Sequence, residues 1–311
     1  MKPRDRTSNA KPEMEETAQT RENWLKATRT LLAASAKSWI DHRGASKGAA
    51  LAFYTLFSMT PILVLAVAVA GWFLGAEAAQ GEILARVREL AGPRGAQAVQ
   101  TLLAAANNRS SGLAATITAG ALFLLGATGA FVELKDSLDE LWGPEYLRHS
   151  GIVALLRAQL LAFALVLVFA ALLLASLAAS AALVVIEHTA GGYWSLAAPG
   201  LSLLSSLVSF GAITCLIAVI YKMLPDVRLP WRDVWIGTLF TAGLFSLGKY
   251  GIGLYLRNSG AASPFGAAGS VVVLLLWVYY SAQIFFLGAE FTRQYALRYG
   301  SHRGHVPGRG V

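Results

Sequence analysis

Charge is scarce in this 311-residue chain: Asp, Glu, Lys and Arg together make 14% of it, against 55% hydrophobic residues. A soluble domain carries about 25% charged residues, so two ordinary soluble domains are excluded, and the mean hydropathy of +0.52 agrees. Cysteine is nearly absent. The lone Cys215 cannot close an internal disulfide, and in its apolar run it reads as a small hydrophobe. The five histidines, His42, His149, His188, His302 and His305, are scattered. Metal-assisted phosphodiester hydrolysis wants ligands converging on one cavity, and no HExxH, GxSxG or Walker loop occurs. No metal site and no cofactor are therefore expected.

What is present is a series of long uncharged runs. Residues 48–76, 110–132, 158–186 and 189–221 carry no charge, 234–256 carries Lys249 alone, and 258–289 carries none. A bilayer core takes about 20 apolar residues as helix. Each run is long enough for one crossing and too short for two with a turn. The expectation is an all-α, polytopic integral membrane protein with six transmembrane helices, at about 49–75, 111–132, 157–186, 197–221, 233–256 and 264–290, plus amphipathic interfacial helices.

The connections complete the organisation. Residues 1–20 read as a disordered polar tail, and no short apolar region follows Met1 as a signal peptide would require. From Trp24 a helical period gathers Leu25, Leu31, Leu32, Ala36, Trp39 and Ile40 on one side. Such a helix suits the membrane interface or a docked position on the protein, and periodicity does not separate the two. Segment 77–109 holds two short amphipathic patterns broken at Gly92-Pro93. The last residues, 299–311, are rich in Gly and Arg and read as a disordered basic tail.

The net charge of +8 has a topological explanation, so nucleic acid is not expected as a partner. With the N-terminus inside, 20 of the 26 Lys and Arg fall in cytoplasmic segments and 5 outside, Lys249 lying within a span. Counting only the 20 residues of the N-terminal segment nearest the first span leaves 14 against 5, the form in which the bias sets orientation. Both termini are expected in the cytoplasm.

Three stretches resemble a known family: GAALAFYTLFSMTPILVLAV at 48–67, FVELKDSLDELW at 131–142, and the block from LPDVRLPWRDVW through GAEFTRQYA that ends near residue 297. On these the chain is identified as a member of the YihY/BrkB family of bacterial inner-membrane proteins. Tyr54, Ser58 and Pro61 stand where the family has them. Phe265 and Asp139 depart from it, Tyr and Asn being frequent at those places. The resemblance implies a six-span inner-membrane protein. It leaves the activity open, since members have been labelled ribonuclease BN, serum-resistance factor and transporter.

Ionisable groups in or beside the spans are the candidates for function, because a charge in lipid is costly and usually faces the bundle or a water cavity. Lys249 lies about 12 Å inside Arg257 along its helix. It either snorkels outward or faces the bundle, with Glu187 its nearest carboxylate by topology. At the inner side Glu133, Asp136, Arg157 and Glu290 gather, either as an ion-pair network or as the gated mouth of a substrate path. Tyr280, Gln283, Leu287 and Glu290 share a face of the sixth span, for helix–helix hydrogen bonds or for lining a cavity. Pro61 should kink the first span. The expected function is transport or translocation of an unidentified, lipid-related substrate. The alternative is a non-transporting scaffold in envelope assembly, and a ribonuclease is the reading the residues support least. Expected partners are the lipid bilayer and, beyond it, a second copy of the chain or an envelope protein.

Overall fold

The structure, a computed structural model, is described for residues 10–107, 129–143, 207, 210–211, 213–227, 229–258 and 269–301. Seven helical elements are named in chain order: α1 (Ala10–Asp41), α2 (Gly44–Leu74), α3 (Ala76–Asn107), α4 (129–142), α5 (Ile213–Met223), α6 (Trp231–Asn258) and α7 (Gly269–Arg298). No strand occurs among the described residues. α7 passes the length and hydropathy requirements for crossing a membrane, and the two limbs of α2 pass them together. The expected spans 111–132 and 157–186, and most of 197–221, fall outside the described residues.

Helix boundaries follow the local chemistry. α1 begins at Ala10, so helix reaches into the stretch expected to be a disordered tail. The run PEMEETAQTREN is rich in good helix formers, and Pro12 sits in the first turn, where its missing N–H costs little. α2 bends by 46° between Gly44–Thr60 and Ile62–Trp72, the position where Pro61 has no N–H for the helical ladder. It ends at Gly75, whose φ of 85° is open to glycine and whose N–H donates to the Gly71 carbonyl at 2.8 Å. α3 breaks at Gly92, with φ 76° and ψ 180°, immediately before Pro93.

α7 is the central element, packed against α1, α2, α3 and α6. Its N-terminal half meets α2 and α3 through Leu274, which joins Leu63, Ile83, Val99 and Leu103 in one apolar cluster. Trp277 donates its indole N–H to the Leu90 carbonyl at 2.9 Å, two residues before the break at Gly92. The C-terminal half meets α4, α5 and α6 in a larger cluster around Leu138, Tyr221, Val234, Phe286 and Ala296. There the Tyr221 hydroxyl donates to the Phe285 carbonyl at 2.6 Å.

The tightest contact joins α6 and α7, which run antiparallel. A Cβ on Gly237 would lie 1.9 Å from Thr292 Oγ1, and one on Gly288 would lie 2.0 Å from Thr241 Oγ1. Each helix thus offers a glycine to the other's threonine, at a reciprocal spacing of four. The threonines satisfy themselves inside their own helices: Thr241 donates to the Gly237 carbonyl at 2.7 Å and Thr292 to the Gly288 carbonyl at 2.8 Å. Small residues allow this close backbone approach. Phe240 stacks on Phe291 beside it, ring centroids 3.9 Å apart, and Asp233 on the first turn of α6 accepts from the Ser301 N–H and hydroxyl, both at 2.9 Å. Thr238, Ala242 and Ser246 form a small-residue row on α6. Thr238 and Ala242 are fully buried, but the backbones meet at Gly237 and Gly288.

Gly237→Ala or Gly288→Ala should therefore destabilise the protein by about 1–3 kcal/mol, the cost of overpacking. Gly243→Ala, whose added methyl would meet nothing within 4 Å, should instead gain a few tenths of a kcal/mol or more from helix propensity. Thermal unfolding of the three variants in one detergent checks both signs.

Candidate functional site: a polar elbow against the central helix

Residues 38–48 turn the chain from α1 into α2 and lie along α7. Arg43 adopts the left-handed conformation, φ 53° and ψ 42°, which a non-glycine residue holds only under constraint from its surroundings. Gly44 follows because the Trp39 ring occupies the place of its side chain: an added Cβ would fall 2.2 Å from the indole nitrogen. The face that α1 turns inward carries Leu31, Ser35 and Ser38, all buried, whereas Leu32 and Ile40 remain exposed. α1 thus docks on α7 by a serine-bearing face and leaves part of its apolar stripe outward.

Beneath the elbow sits Glu290, wholly buried on α7. Its Oε1 is hydrogen-bonded to His42 Nδ1 at 2.5 Å. Arg293, one turn on, places Nη1 3.8 Å from Glu290 Oε2 and donates to Ser38 Oγ at 3.2 Å. Gln283, two turns earlier, donates to the Ala45 carbonyl at 3.3 Å. Among the described residues, four buried polar atoms of this neighbourhood have no hydrogen-bond partner: Trp39 Nε1, Gln283 Oε1, Glu290 Oε2 and Arg293 Nε. Two are donors and two are acceptors. Buried polar groups are ordinarily satisfied, so the elbow is a built polar site with spare valence of both kinds.

A second charged cluster lies on α4. Lys135 bridges Asp139 and Asp226, the latter at 2.9 Å, and Asp139 Oδ1 accepts the Asp226 backbone N–H at 2.9 Å. Burial raises the Asp139 carboxyl above its usual range, outweighing the Lys135 contact and the Asp226 N–H. Burial pulls the Lys135 ammonium down, but its bonds to the two carboxylates more than compensate and hold it above its ordinary value. The partners thus read the pair oppositely, because the aspartate is the more deeply enclosed of the two. Lys47 on α2 pairs with Glu140, tying the elbow to α4.

The expected site residues are distributed as follows. Glu290 is the centre of the elbow. Gln283 faces the start of α2, while Tyr280 lies against Gly248 on α6, so the two do not line one surface. Lys249 rests its ammonium over the exposed ring of Tyr250, 5.3 Å from the centroid. Glu133 stays within its own helix, 3.5 Å from the Ser137 hydroxyl, and Asp136 is exposed. Arg157 and Glu187 lie outside the described residues. Two residues were missed. His42 had been dismissed among scattered histidines, since only the fold brings it to a glutamate 248 positions away. Asp139 had a legible signal, its spacing of four from Lys135. Among the described residues no group of three or more His, Cys, Asp and Glu is placed to hold a metal.

The Virulence factor BrkB family model matches residues 35–309. The chain belongs to this family. Among BrkB relatives, the UPF0761 membrane protein of Saccharophagus degradans is 26% identical over 86% of the chain and 59% of its own length. That of Verminephrobacter eiseniae is 27% identical over 81% and 58%. The homologue from Tolumonas auensis is 37% identical over 30% of each chain. The chain thus spans about 60% or less of the length of these relatives. No solved structure matches it. As a BrkB-family chain it is a membrane protein, helical and without strands among the described residues, and both Asp139 and the elbow lie within the matched region.

Removing Lys135 strands a buried carboxylate beside that of Asp226. Lys135→Met should cost about 2 kcal/mol, below the usual figure for a broken buried pair because the ammonium is partly solvated. Adding Asp139→Asn, which keeps the Oδ1 acceptor, should recover most of it. The pH dependence has a definite sign. With the folded carboxyl raised above 3.8, the folded state binds more protons than the unfolded in the window above 3.8, so stability falls as pH rises through it. Asp139→Asn should lack that part of the slope, read from unfolding temperatures across the window.

Proposed function

We propose that this BrkB-family chain is a six-span inner-membrane protein with both termini in the cytoplasm, without catalytic activity, that translocates a small or amphipathic, lipid-related substrate past the elbow. The observation that carries the reading is Glu290: wholly buried, held by His42 at 2.5 Å, with Oε2 making no hydrogen bond among the described residues. An ionisable residue on a helix apolar enough to span a membrane marks a substrate path or a relay by default. Gln283 Oε1, Trp39 Nε1 and Arg293 Nε supply further unused hydrogen-bonding capacity around it. Lys249 is no part of this path, since its ammonium lies over an exposed ring.

A second reading, a non-transporting scaffold, is favoured by the α6–α7 seam. Glycine and threonine close it from Gly237 to Gly288 with no room for a methyl group, so nothing passes there. Only the elbow distinguishes the two readings.

The test is side-specific thiol labelling in inverted membrane vesicles, in a Cys215→Ser background, with a charged reagent that does not cross membranes. Translocation expects Gln283→Cys to react from the cytoplasmic side as readily as the exposed control Ser301→Cys. If Ser301→Cys reacts and Gln283→Cys does not, the elbow is closed to water and the scaffold reading replaces translocation.

A further inference from the structure

α6 is not among the helices apolar enough to cross a membrane by composition, yet it presents a continuous exposed apolar stripe. Trp231, Trp235, Leu239, Leu247, Tyr250 and Leu254 are all exposed, Leu247 at 73% and Tyr250 at 71%. Gly243 completes the row between Leu239 and Leu247, and a Cβ there would meet only open space. The stripe is ordered by residue type. Tryptophans stand at the N-terminal end, aliphatic residues in the middle, and Tyr250 with the neighbouring exposed Tyr255 at the far end. From the middle of the Trp pair to the middle of the Tyr pair is about 29 Å at 1.5 Å per residue. That matches the hydrocarbon thickness of a bilayer, about 30 Å, and Trp and Tyr collect at its two interfaces.

The opposite face of α6 explains why composition misleads. Gly237, Thr238 and Thr241 lower the hydropathy but are buried against α7, where their small size and self-satisfied hydroxyls serve helix packing. Lys249 is the other deduction, and it lies at the tyrosine end. Among the described residues it has an aromatic contact with Tyr250 and no carboxylate. A cation–π contact leaves the ammonium's charge uncompensated, so a phosphate oxygen is the natural remaining partner.

We propose that this stripe is the lipid-facing side of a membrane-spanning α6, and that Lys249, braced on Tyr250, binds the phosphate of an anionic lipid headgroup in the outer leaflet. The assignment deepens the six-span reading and rests on it. The occupant is lipid rather than a second copy of the chain, because interfacial aromatics separated by one bilayer thickness and a cation at one end fit a bilayer's layering.

Nitroxide labels on Leu239→Cys, Gly243→Cys and Leu247→Cys, in full-length Cys215→Ser protein in phosphatidylcholine–phosphatidylglycerol vesicles, test the stripe. Relaxation by oxygen should be strong and peak near 243, while relaxation by a water-soluble nickel chelate should be weak. Low accessibility to both would show protein covering the stripe and overturn the lipid assignment while leaving a spanning α6 intact. High nickel accessibility at all three would overturn the span as well. The headgroup contact is read separately, from the preference of the protein for spin-labelled phosphatidylglycerol over phosphatidylcholine. Lys249→Gln should lose part of that preference and Lys249→Arg retain it. Equal preference in Lys249→Gln and the parent protein would overturn the role of Lys249.

Discussion

The reciprocal clasp of α6 and α7 is the constraint on which the described fold depends. Gly237 takes Thr292 and Gly288 takes Thr241, so at these two levels the helices approach too closely for any Cβ on the glycine. Lipid chains are as apolar as leucine, so helix association in a membrane cannot rely on driving apolar side chains out of water. Close packing and satisfied polar groups must do it instead. The threonine hydroxyls meet that need without a partner across the seam, each returning its hydrogen to its own helix. Once α6 is fixed, α7 has one sealed side, and its other faces are left for α1, α2 and α3.

The elbow follows from that arrangement. With α6 occupying one flank, Glu290 turns to the α1–α2 junction, where His42 and Arg293 are its polar neighbours. A buried carboxylate without company would be very costly, and its contact with His42 holds together a turn whose Arg43 is in a conformation that residues with a Cβ rarely adopt. The packing also explains why the site is only partly satisfied. Trp39 must cross Gly44, and Gln283 spends its amide N–H on Ala45, so Trp39 Nε1 and Gln283 Oε1 are left without hydrogen bonds among the described residues.

Much of this was legible in order along the chain. Pro61, Gly75 and Gly92-Pro93 marked where helices bend, end or break, because backbone chemistry acts on immediate neighbours. The uncharged runs that became α2 and α7 and the family block at the C-terminus were equally plain. Pairings across the fold were another matter. The face shared by Tyr280 and Gln283 proved to serve two different neighbours, since sixty degrees of helix circumference is enough to change the partner. Asp136 looked like the charge to watch on α4, yet Asp139, three residues on, is the one turned inward. The serine face of α1 packs while Leu32 and Ile40 stay out, an inversion that hydrophobic periodicity by itself does not anticipate.

What the sequence by itself determined is membership, helicity and a membrane home, because composition and periodicity report the solvent a segment must meet. Tertiary structure alone decided that His42 belongs to Glu290, that the glycines of α6 and α7 interlock, and that the Lys249 ammonium lies over the exposed ring of Tyr250. Those facts depend on which helix sits next to which and at what rotation. A side chain's neighbours across the fold are separated from it by as many as 255 positions, as Ser38 is from Arg293, and no local pattern encodes a contact of that range.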